Sequence, residues 1–298
     1  MRVLYDREEG PRGGVLTMGT FDGVHLGHKA LLREARQWAR AMSTFVEVWV
    51  YHPHPREVLR GERIPLLTLL PERLRLLEAE GVEIVRVISF TPSLAALSAG
   101  DFVVEWIQAL SAPGRVVLGY DHRFGRGREG DAAFLRAQGL LAEEVPPLLE
   151  GGLAVSSSRI RQLIQVGDME VAAQLLGYPY FVEGTVERGQ QVARRLGTPT
   201  ANIPWPKEKV SPPAGVYAGR VYFFLQGDDG WPALLYLSPQ GVLEVHLLGW
   251  EGGSLYGERL KVELMAFMRA HREGLSEGAL QAQIAEDLLR VQAYWGLA

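Results

Sequence analysis

In the first part of the chain, short apolar runs alternate with stretches of helical periodicity. The runs predict buried strands, and the periodic stretches predict helices with one apolar face. We expect strands at Val15–Met18, Phe45–Val50, Val82–Ile88 and Arg115–Gly119, and helices at 28–42, 71–79, 91–110 and 169–176. Because strand and helix alternate, the pattern predicts an α/β domain whose parallel sheet is covered on both faces.

The pattern changes after Tyr178, where short runs of strand-forming residues are separated by turn residues. Such a series of short strands is typical of a small antiparallel β-barrel. The strands are expected at Tyr180–Glu187, Gly215–Phe224, Ala233–Leu237, Val242–Leu248 and Lys261–Phe267, followed by a closing amphipathic helix at 276–294. The sequence therefore predicts two domains, residues 1–178 and 179–298.

Composition narrows the class of protein. The chain has 298 residues, of which 47% are hydrophobic and 22% charged, with a net charge of −4 and no cysteine. A disulfide scaffold, a thiol nucleophile and a cysteine-bound zinc are thereby excluded. The charge argues against a nucleic-acid coat, and charged residues interrupt any signal peptide near the N-terminus. With no long apolar run, we expect a cytoplasmic protein that needs no nucleic acid, membrane or protein partner.

The stretch from Val15 to His28 combines a strand, an Asp-Gly turn and the mouth of a helix, where His25 and His28 flank Gly27. Backbone amides at a helix start bind anions, and two imidazoles there can donate hydrogen bonds to phosphate oxygens. Two histidines at this spacing also occur as ordinary polar residues at a helix end. The strand–turn–helix context favours a phosphate site suited to nucleotidyl transfer.

Two further segments carry candidate phosphate ligands. The loop from Gly119 to Arg128 offers glycines, three arginines, an aspartate and an aromatic ring, although each arginine alone could be a solvated charge. The run Val155-Ser156-Ser157-Ser158-Arg159-Ile160-Arg161 opens a helix. Its serines could simply cap that helix, and the same geometry of hydroxyls, free amides and a guanidinium also binds phosphate.

A possible metal pair, His52 and His54, lies among prolines after the second predicted strand. The prolines already explain a rigid turn, and no third ligand is evident, so a structural role is favoured. In the second half, Thr200 and Asn202 lie two apart in an extended segment and would share one face. Their side-chain oxygens suit magnesium, although a threonine and an asparagine near prolines also form ordinary turns.

The three segments of the first half, in this order, resemble the FAD synthetase branch of the nucleotidyltransferase superfamily. The resemblance implies a Rossmann-like fold and transfer of AMP from ATP to FMN. It implies catalytic roles for His25, His28 and Arg161, with Mg²⁺ as cofactor. It further implies ATP and phosphate contacts from Gly19, Phe21, Gly27, Ser156, Ser157 and Arg161, and flavin contacts from Asp121, Phe124 and Arg126.

The second half is similar to riboflavin kinase through Pro199-Thr200-Ala201-Asn202, which follows Gly197, and through the strand that carries Glu244. The resemblance implies that Thr200 and Asn202 hold the magnesium–ATP complex, with Gly197 beside it, and that Glu244 takes the proton from the riboflavin hydroxyl. Together the halves resemble bifunctional riboflavin kinase/FMN adenylyltransferase, whose ligands are riboflavin, FMN, FAD and ATP.

Three segments of the kinase half depart from the family pattern: the glycine-poor stretch 188–195, the short turn Ser238–Gly241, and Gly249 in place of an aspartate. They predict a working kinase with a weakened hold on riboflavin. Two alternatives stay open. The barrel could be a flavin-binding or interaction module without kinase activity, leaving only the adenylyltransferase. The first domain could also use another acceptor, such as a phosphopantetheine or a sugar phosphate.

Overall fold

A computed structural model describes residues 1–187, 201–224 and 230–297. The chain forms two compact units, Met1–Ser157 and Ser158–Ala298. The strands of the first unit are β1 (Arg2–Tyr5), β2 (Val15–Gly19), β3 (Val46–His52), β4 (Ile84–Ser89), β5 (Arg115–Gly119) and β6 (Ala142–Val145), with a small hairpin of β7 (Leu149–Glu150) and β8 (Leu153–Ala154). The first six strands form one sheet in the order β1-β4-β3-β2-β5-β6, and every pair is parallel.

Helices cover both faces of this sheet, as the apolar runs predict, and an apolar core packs on each face. On one face, α1 buries Leu31, Leu32, Ala35 and Ala39. The helices of this unit are α1 (Leu26–Ala41), α2 (Pro55–Arg60), α3 (Leu70–Ala79), α4 (Pro92–Ala96), α5 (Ala99–Phe102) and α6 (Ala132–Ala137), with a π-helical segment at Val103–Ser111 and a 3₁₀ turn at Arg126–Arg128. The predicted α/β domain is confirmed.

The single helix predicted over residues 91–110 is wrong, because the segment is broken after Ala96. Leu97 is extended, with φ −62° and ψ 136°, and the Ser98 hydroxyl then caps a new helix by accepting a hydrogen bond from the Asp101 amide. Serine favours such cap positions over helix interiors because its hydroxyl competes for backbone groups. The apolar periodicity across the break concealed it.

The second unit contains a nearly closed barrel of six antiparallel strands in the order β10-β13-β12-β11-β14-β9. The Glu187 amide donates to the Asn202 carbonyl at 2.8 Å and links the two ends of this order. This confirms the predicted barrel and adds β10, which the apolar pattern missed. The strands are β9 (Tyr180–Thr185), β10 (Ala201–Pro204), β11 (Gly215–Phe223), β12 (Trp231–Leu237), β13 (Val242–Leu247) and β14 (Arg259–Ala270).

The remaining helices are α7 (Ser157–Val166), α8 (Met169–Leu176) and the closing helix α9 (Glu277–Tyr294). Within the second unit, the turn between α7 and α8 packs at Gly167 against Phe267 of β14. The compact units thus divide before these helices, whereas the sequence placed them in the first domain. The predicted boundary after Tyr178 stays a prediction about independent folding. Among the described residues, no helix combines the length and apolar character needed to span a bilayer.

Candidate active sites

The first candidate site lies where β2 and β5 end. These strands are neighbours in the sheet, although β3 and β4 lie between them in the chain. Chain order therefore reverses at this point, and parallel sheets bind ligands in the crevice beyond the carboxyl ends of such strands. The loop after Gly19 and the loop after Gly119 both begin there. The fold thus brings two of the three predicted segments to one crevice.

A buried ion pair holds the loop after β2. Asp22 is fully buried, and its carboxylate accepts from the amides of Leu67 and Thr68, each at 3.0 Å, and from the Arg73 guanidinium at 3.2 Å. Arg73 also donates to the Thr20 carbonyl at 2.8 Å. The segment before α3 therefore fixes the loop. This network leaves no signal in the sequence, in which Asp22 resembles a turn residue and Arg73 resembles a surface charge of a helix.

The same loop has strained backbone at two buried apolar residues. Phe21 has φ 49° and Val24 has φ 35°, and both angles lie in the left-handed region that residues other than glycine rarely adopt. Both side chains lie in the apolar core. The Asp22 network therefore stabilises a backbone shape that the local sequence disfavours. Since the Phe21 ring is buried, its predicted contact with ATP would have to come from the backbone.

His25 and His28 stack at the mouth of α1, with ring centroids 3.7 Å apart. His25 is the N-cap residue, and its Nδ1 accepts a hydrogen bond from the His28 amide at 3.4 Å. Burial lowers the pKa of His28 well below its ordinary value, and His25 and Arg73 lower it further. His28 is therefore a neutral imidazole near pH 7, suited to donating a hydrogen bond rather than to supplying charge.

Gly27 fits tightly between these groups. A Cβ atom there would lie 3.2 Å from the His25 ring and 3.2 Å from the Val155 carbonyl oxygen. Close packing thus accounts for glycine at this position. It is a second reason for the glycine, in addition to the predicted approach of a ligand. Val155 opens the third predicted segment, and Ser157 donates from its hydroxyl to the Asp22 carbonyl at 2.9 Å. The structure therefore places the start of that segment beside the first.

The rest of the third segment lies on α7. Ser156 is half-buried just before the helix, and Arg161 is half-buried within it. Ser157 already uses its hydroxyl in the bond to Asp22, so its predicted phosphate contact would come from another group, such as its amide. The contacts of Ser156 and Arg161 with ATP phosphates stay predictions.

The loop after β5 contains both exposed and buried residues among the predicted flavin contacts. Asp121 and Arg126 are exposed, and Asp121 follows the end of β5 by two residues. Their contacts with flavin stay predictions. Phe124 instead packs in the core, with its ring centroid 5.5 Å from that of Phe102 and 6.2 Å from that of Phe134. These contacts account for the ring, and its predicted role in flavin binding stays a prediction. Burial, with Arg128 and Arg123 nearby, lowers the pKa of His122 to about 4.

His52 and His54, the possible metal pair, lie at the end of β3 and just before α2. His54 caps α2, and its Nδ1 accepts from the Arg56 amide at 3.2 Å. The described ranges contain no group of three or more His, Asp or Glu residues that could hold a metal ion. This cap gives His54 a structural role in the proline-rich turn.

The second candidate site lies on the outer face of the barrel. Glu244 of β13 is paired directly with Asn202 of β10 on one side and with Tyr236 of β12 on the other. Directly opposed residues of neighbouring strands point to the same face, so the three side chains lie side by side. Burial raises the pKa of the half-buried Glu244 carboxyl. Its carboxylate accepts no hydrogen bond from the residues that the structure describes.

A cavity of about 580 Å³ opens beside Glu244, between the barrel and α9. Its wall includes Tyr236, Ser238 and Gln240, so the short turn before β13 does contribute to it. Apolar side chains of both the barrel and the helix form another part of the wall: Val216, Leu234, Leu280 and Ile284. Charged side chains also line it, among them Arg269, Arg272, Glu273 and Asp287. A cavity that combines an apolar surface with polar and charged groups suits a planar aromatic ligand that carries a polar chain.

A second cavity, of about 480 Å³, is lined by residues of β10 and β13 and by the loop that follows β13. Its wall includes Ala201, adjacent to Asn202, and the glycine-rich loop 249–256 after β13. The Trp250 ring anchors this loop against Trp231, with ring centroids 5.0 Å apart. Gly197 and Thr200, the other residues predicted here, lie outside the described residues, as does the stretch 188–195.

Comparison with known proteins gives the family. A family model described as FAD synthetase matches residues 7–159, and one described as riboflavin kinase matches residues 176–295. The bifunctional riboflavin kinase/FMN adenylyltransferase of Escherichia coli (strain K12) is 34% identical over 310 residues, covering 100% of this chain and 98% of the relative. This chain belongs to the bifunctional riboflavin kinase/FMN adenylyltransferase family. The family member from Bacillus subtilis (strain 168) is 33% identical over 288 residues, covering 92% of this chain and 90% of its own.

A solved structure resembles the chain over nearly its whole length. It is described as a macrolide-efflux protein from Streptococcus pneumoniae, and it matches with a TM-score of 0.88 at 27% identity, covering 98% of this chain and 99% of that one. The present chain therefore shares its fold with this solved structure, although that protein carries a different description.

Proposed function

We propose that this chain makes FAD from riboflavin in two steps, with ATP as co-substrate in each. The second unit phosphorylates riboflavin to FMN, and the first transfers AMP from ATP to FMN. The observation that carries this proposal is the register of the barrel, which sets the predicted base Glu244 beside the predicted metal ligand Asn202. Full-length similarity to bifunctional relatives supports both steps. Because both steps consume ATP, we also propose a cytoplasmic location.

In the kinase step, Glu244 accepts the proton of the terminal ribityl hydroxyl. The hydroxyl oxygen then bonds to the γ-phosphorus of ATP, and the bond from that phosphorus to ADP breaks. Desolvation suits Glu244 to this task, because a carboxylate with a raised pKa is a stronger base. The second cavity, whose wall includes Ala201 and His246, would hold the nucleotide, and the larger one would hold the flavin.

Magnesium is part of this proposal. The amide oxygen of Asn202 and the carboxylate of Glu244 are neighbouring hard donors, which fits an ion that takes a few protein oxygens and binds phosphates as well. Asn202, together with Thr200, would hold it. When bound, the ion neutralises charge on the phosphate oxygens. In the first unit, the Asp22 carboxylate already accepts hydrogen bonds from Leu67, Thr68 and Arg73, so magnesium there would be held through ATP itself.

In the adenylyl step, a phosphate oxygen of FMN bonds to the α-phosphorus of ATP, and pyrophosphate leaves. The phosphate is already ionised, so no side chain needs to remove a proton. The neutral His28 and its partner His25 donate hydrogen bonds to phosphate oxygens as charge grows on them. The amides at the start of α1 are proposed to hold phosphate groups of ATP. A role of Arg161 toward ATP, and of Asp121 and Arg126 toward the flavin, is proposed from the resemblance to the family.

Product analysis tests the assignment. Riboflavin with ATP and magnesium should yield FMN and ADP, and FMN with ATP should yield FAD and pyrophosphate. Excess EDTA should stop both reactions, and added Mg²⁺ should restore them. FAD formation without FMN formation would leave the barrel as a binding module. Adenylylation of a phosphopantetheine or a sugar phosphate in preference to FMN would contradict the acceptor.

A further inference from the structure

Two side chains outside the predicted set form a hydrogen-bonded pair in the wall of the larger cavity. The Tyr236 hydroxyl and the His271 Nδ1 atom are 2.7 Å apart. Both residues line the cavity, and Tyr236 is the direct cross-strand neighbour of Glu244. The pair therefore lies next to the base that the proposed kinase step requires.

The backbone and the closing helix fix the position of this pair. The His271 amide donates to the Ala214 carbonyl at 2.9 Å, just beyond the end of β14. Two residues earlier, Arg269 donates from Nε to the buried Asp287 of α9 at 2.7 Å. The imidazole thus projects from anchored backbone, and its bond to Tyr236 holds the phenol in one orientation. A phenol held in this way can orient a ligand without first losing much side-chain freedom.

The hydroxyl of Tyr236 retains hydrogen-bonding capacity beyond its bond to His271. A phenol oxygen can donate one hydrogen bond and also accept, so one further partner remains possible. Burial, and then the charge of Glu244, raise the pKa of Tyr236, so the phenol keeps its proton near neutral pH. The cavity wall therefore has polar groups near Glu244, which include this pair, and an apolar surface that includes Val216 and Leu234.

We propose that Tyr236 and His271 are a positioning pair that binds the hydroxyl chain of the flavin substrate and turns its terminal hydroxyl toward Glu244. This inference rests on the proposed kinase function. The apolar wall holds the aromatic ring, and the Tyr236 hydroxyl bonds a secondary hydroxyl of the ribityl chain. The proton of the reacting hydroxyl still passes to Glu244, and the pair neither gains nor loses one. His271 acts through Tyr236, whose orientation it sets.

Steady-state kinetics of riboflavin phosphorylation by the full chain test this role. Tyr236→Phe removes only the hydroxyl, and His271→Leu removes its partner. His271→Asn keeps a polar atom near the position of Nδ1. Tyr222→Phe is the matched control, because its half-buried hydroxyl also bonds an ionisable side chain, Glu263 at 3.2 Å, but does not line the cavity. Riboflavin binding without ATP is measured in parallel by flavin fluorescence.

Loss of one oriented hydrogen bond should lower kcat about tenfold in Tyr236→Phe and in His271→Leu. Riboflavin binding should weaken less than kcat falls, because the apolar surface that holds the ring is intact. The double variant should be no slower than either single one, since both changes break the same contact. His271→Asn should recover most of the rate, and Tyr222→Phe should match the unmodified chain.

The inference is overturned if Tyr236→Phe keeps the kcat of Tyr222→Phe, or if the two losses add in the double variant. A rise in KM with unchanged kcat would also overturn it, because it would make the pair a simple binding contact. Should Tyr236→Phe fail to fold, the contrast between His271→Asn and His271→Leu decides. The proposed kinase function fails separately, if the unmodified chain makes no FMN or if Glu244→Gln is equally active.

Discussion

The carboxylate of Asp22 offers the sharpest test of how the first site is built. Asp22→Ala removes the acceptor for two buried amides, a hydroxyl and the Arg73 guanidinium, and it leaves that cation buried. Breaking a buried, hydrogen-bonded ion pair at one partner costs about 3–5 kcal/mol. We therefore expect the first unit to lose about 3–5 kcal/mol of unfolding free energy. FAD formation should fall with it, because Phe21 and Val24 can relax from their strained conformations.

Hydrogen exchange followed by mass spectrometry reads this effect locally. The amides of Leu67 and Thr68 bond directly to Asp22, and the Gly23 amide bonds to the Thr68 hydroxyl at 2.9 Å. Peptides that contain these amides should exchange faster in Asp22→Ala. Urea unfolding of the first unit gives the free-energy change. Glu143→Ala is the control, because its ion pair with Arg115 is half-exposed at 3.5 Å and such pairs contribute about 0–1 kcal/mol.

The reasoning is refuted if Asp22→Ala and Glu143→Ala lose the same unfolding free energy. It is refuted equally if Asp22→Ala protects these amides as the unmodified chain does. A stable variant with normal exchange but no FAD formation would show that Asp22 contacts the ligands instead of holding the loop.

Three further predictions concern titration, capping and modularity. The pKa of His122 is about 4 in the folded chain against an ordinary 6.5, so the unfolded chain binds this proton more readily and stability falls as pH drops through that window. At pH 5 the unfolding free energy is lower by about 2 kcal/mol, and urea unfolding of His122→Phe should not show this decrease. An equal decrease in both proteins would contradict the assignment. His25→Ala should lower both FAD formation and thermal stability, because it also removes the cap of α1, whereas His28→Ala should lower only FAD formation; equal melting temperatures would count against the cap. A fragment of residues 158–298 should be more stable than one of 179–298, because α8 buries Met169, Ala172, Leu175 and Leu176, and equal urea midpoints would contradict this.

The sequence predicted those parts of the fold that local patterns determine. β2, β3 and β5 are buried on both faces, so continuous apolar runs mark them, and Gly177 ends α8 as its conformational freedom suggests. β1 and β6 escaped notice because both are short and carry charged or exposed residues. Helical periodicity could not reveal the break at Leu97, since apolar spacing continues through it.

The site residues also fall into those that a local motif predicts and those that it does not. His25, His28 and Glu244 are predicted from the sequence because a short motif carries each of them. The partners that hold these sites are distant in the chain: Arg73 lies 51 residues from Asp22, and His271 lies 35 from Tyr236. Only the folded backbone brings such pairs together, and each residue alone resembles an ordinary surface or strand position. Long-range contacts of this kind leave no local signal in one sequence.

The central claim is that one chain carries two separate reactions, and crossed variants test it most directly. His28→Ala and Glu244→Gln are each incubated with riboflavin, ATP and Mg²⁺, and again with FMN in place of riboflavin, and the flavins are separated by chromatography. His28→Ala should convert riboflavin to FMN and stop there. Glu244→Gln should leave riboflavin unchanged and still convert FMN to FAD. If either variant loses both reactions while remaining folded, or loses neither, the assignment of one reaction to each unit is contradicted.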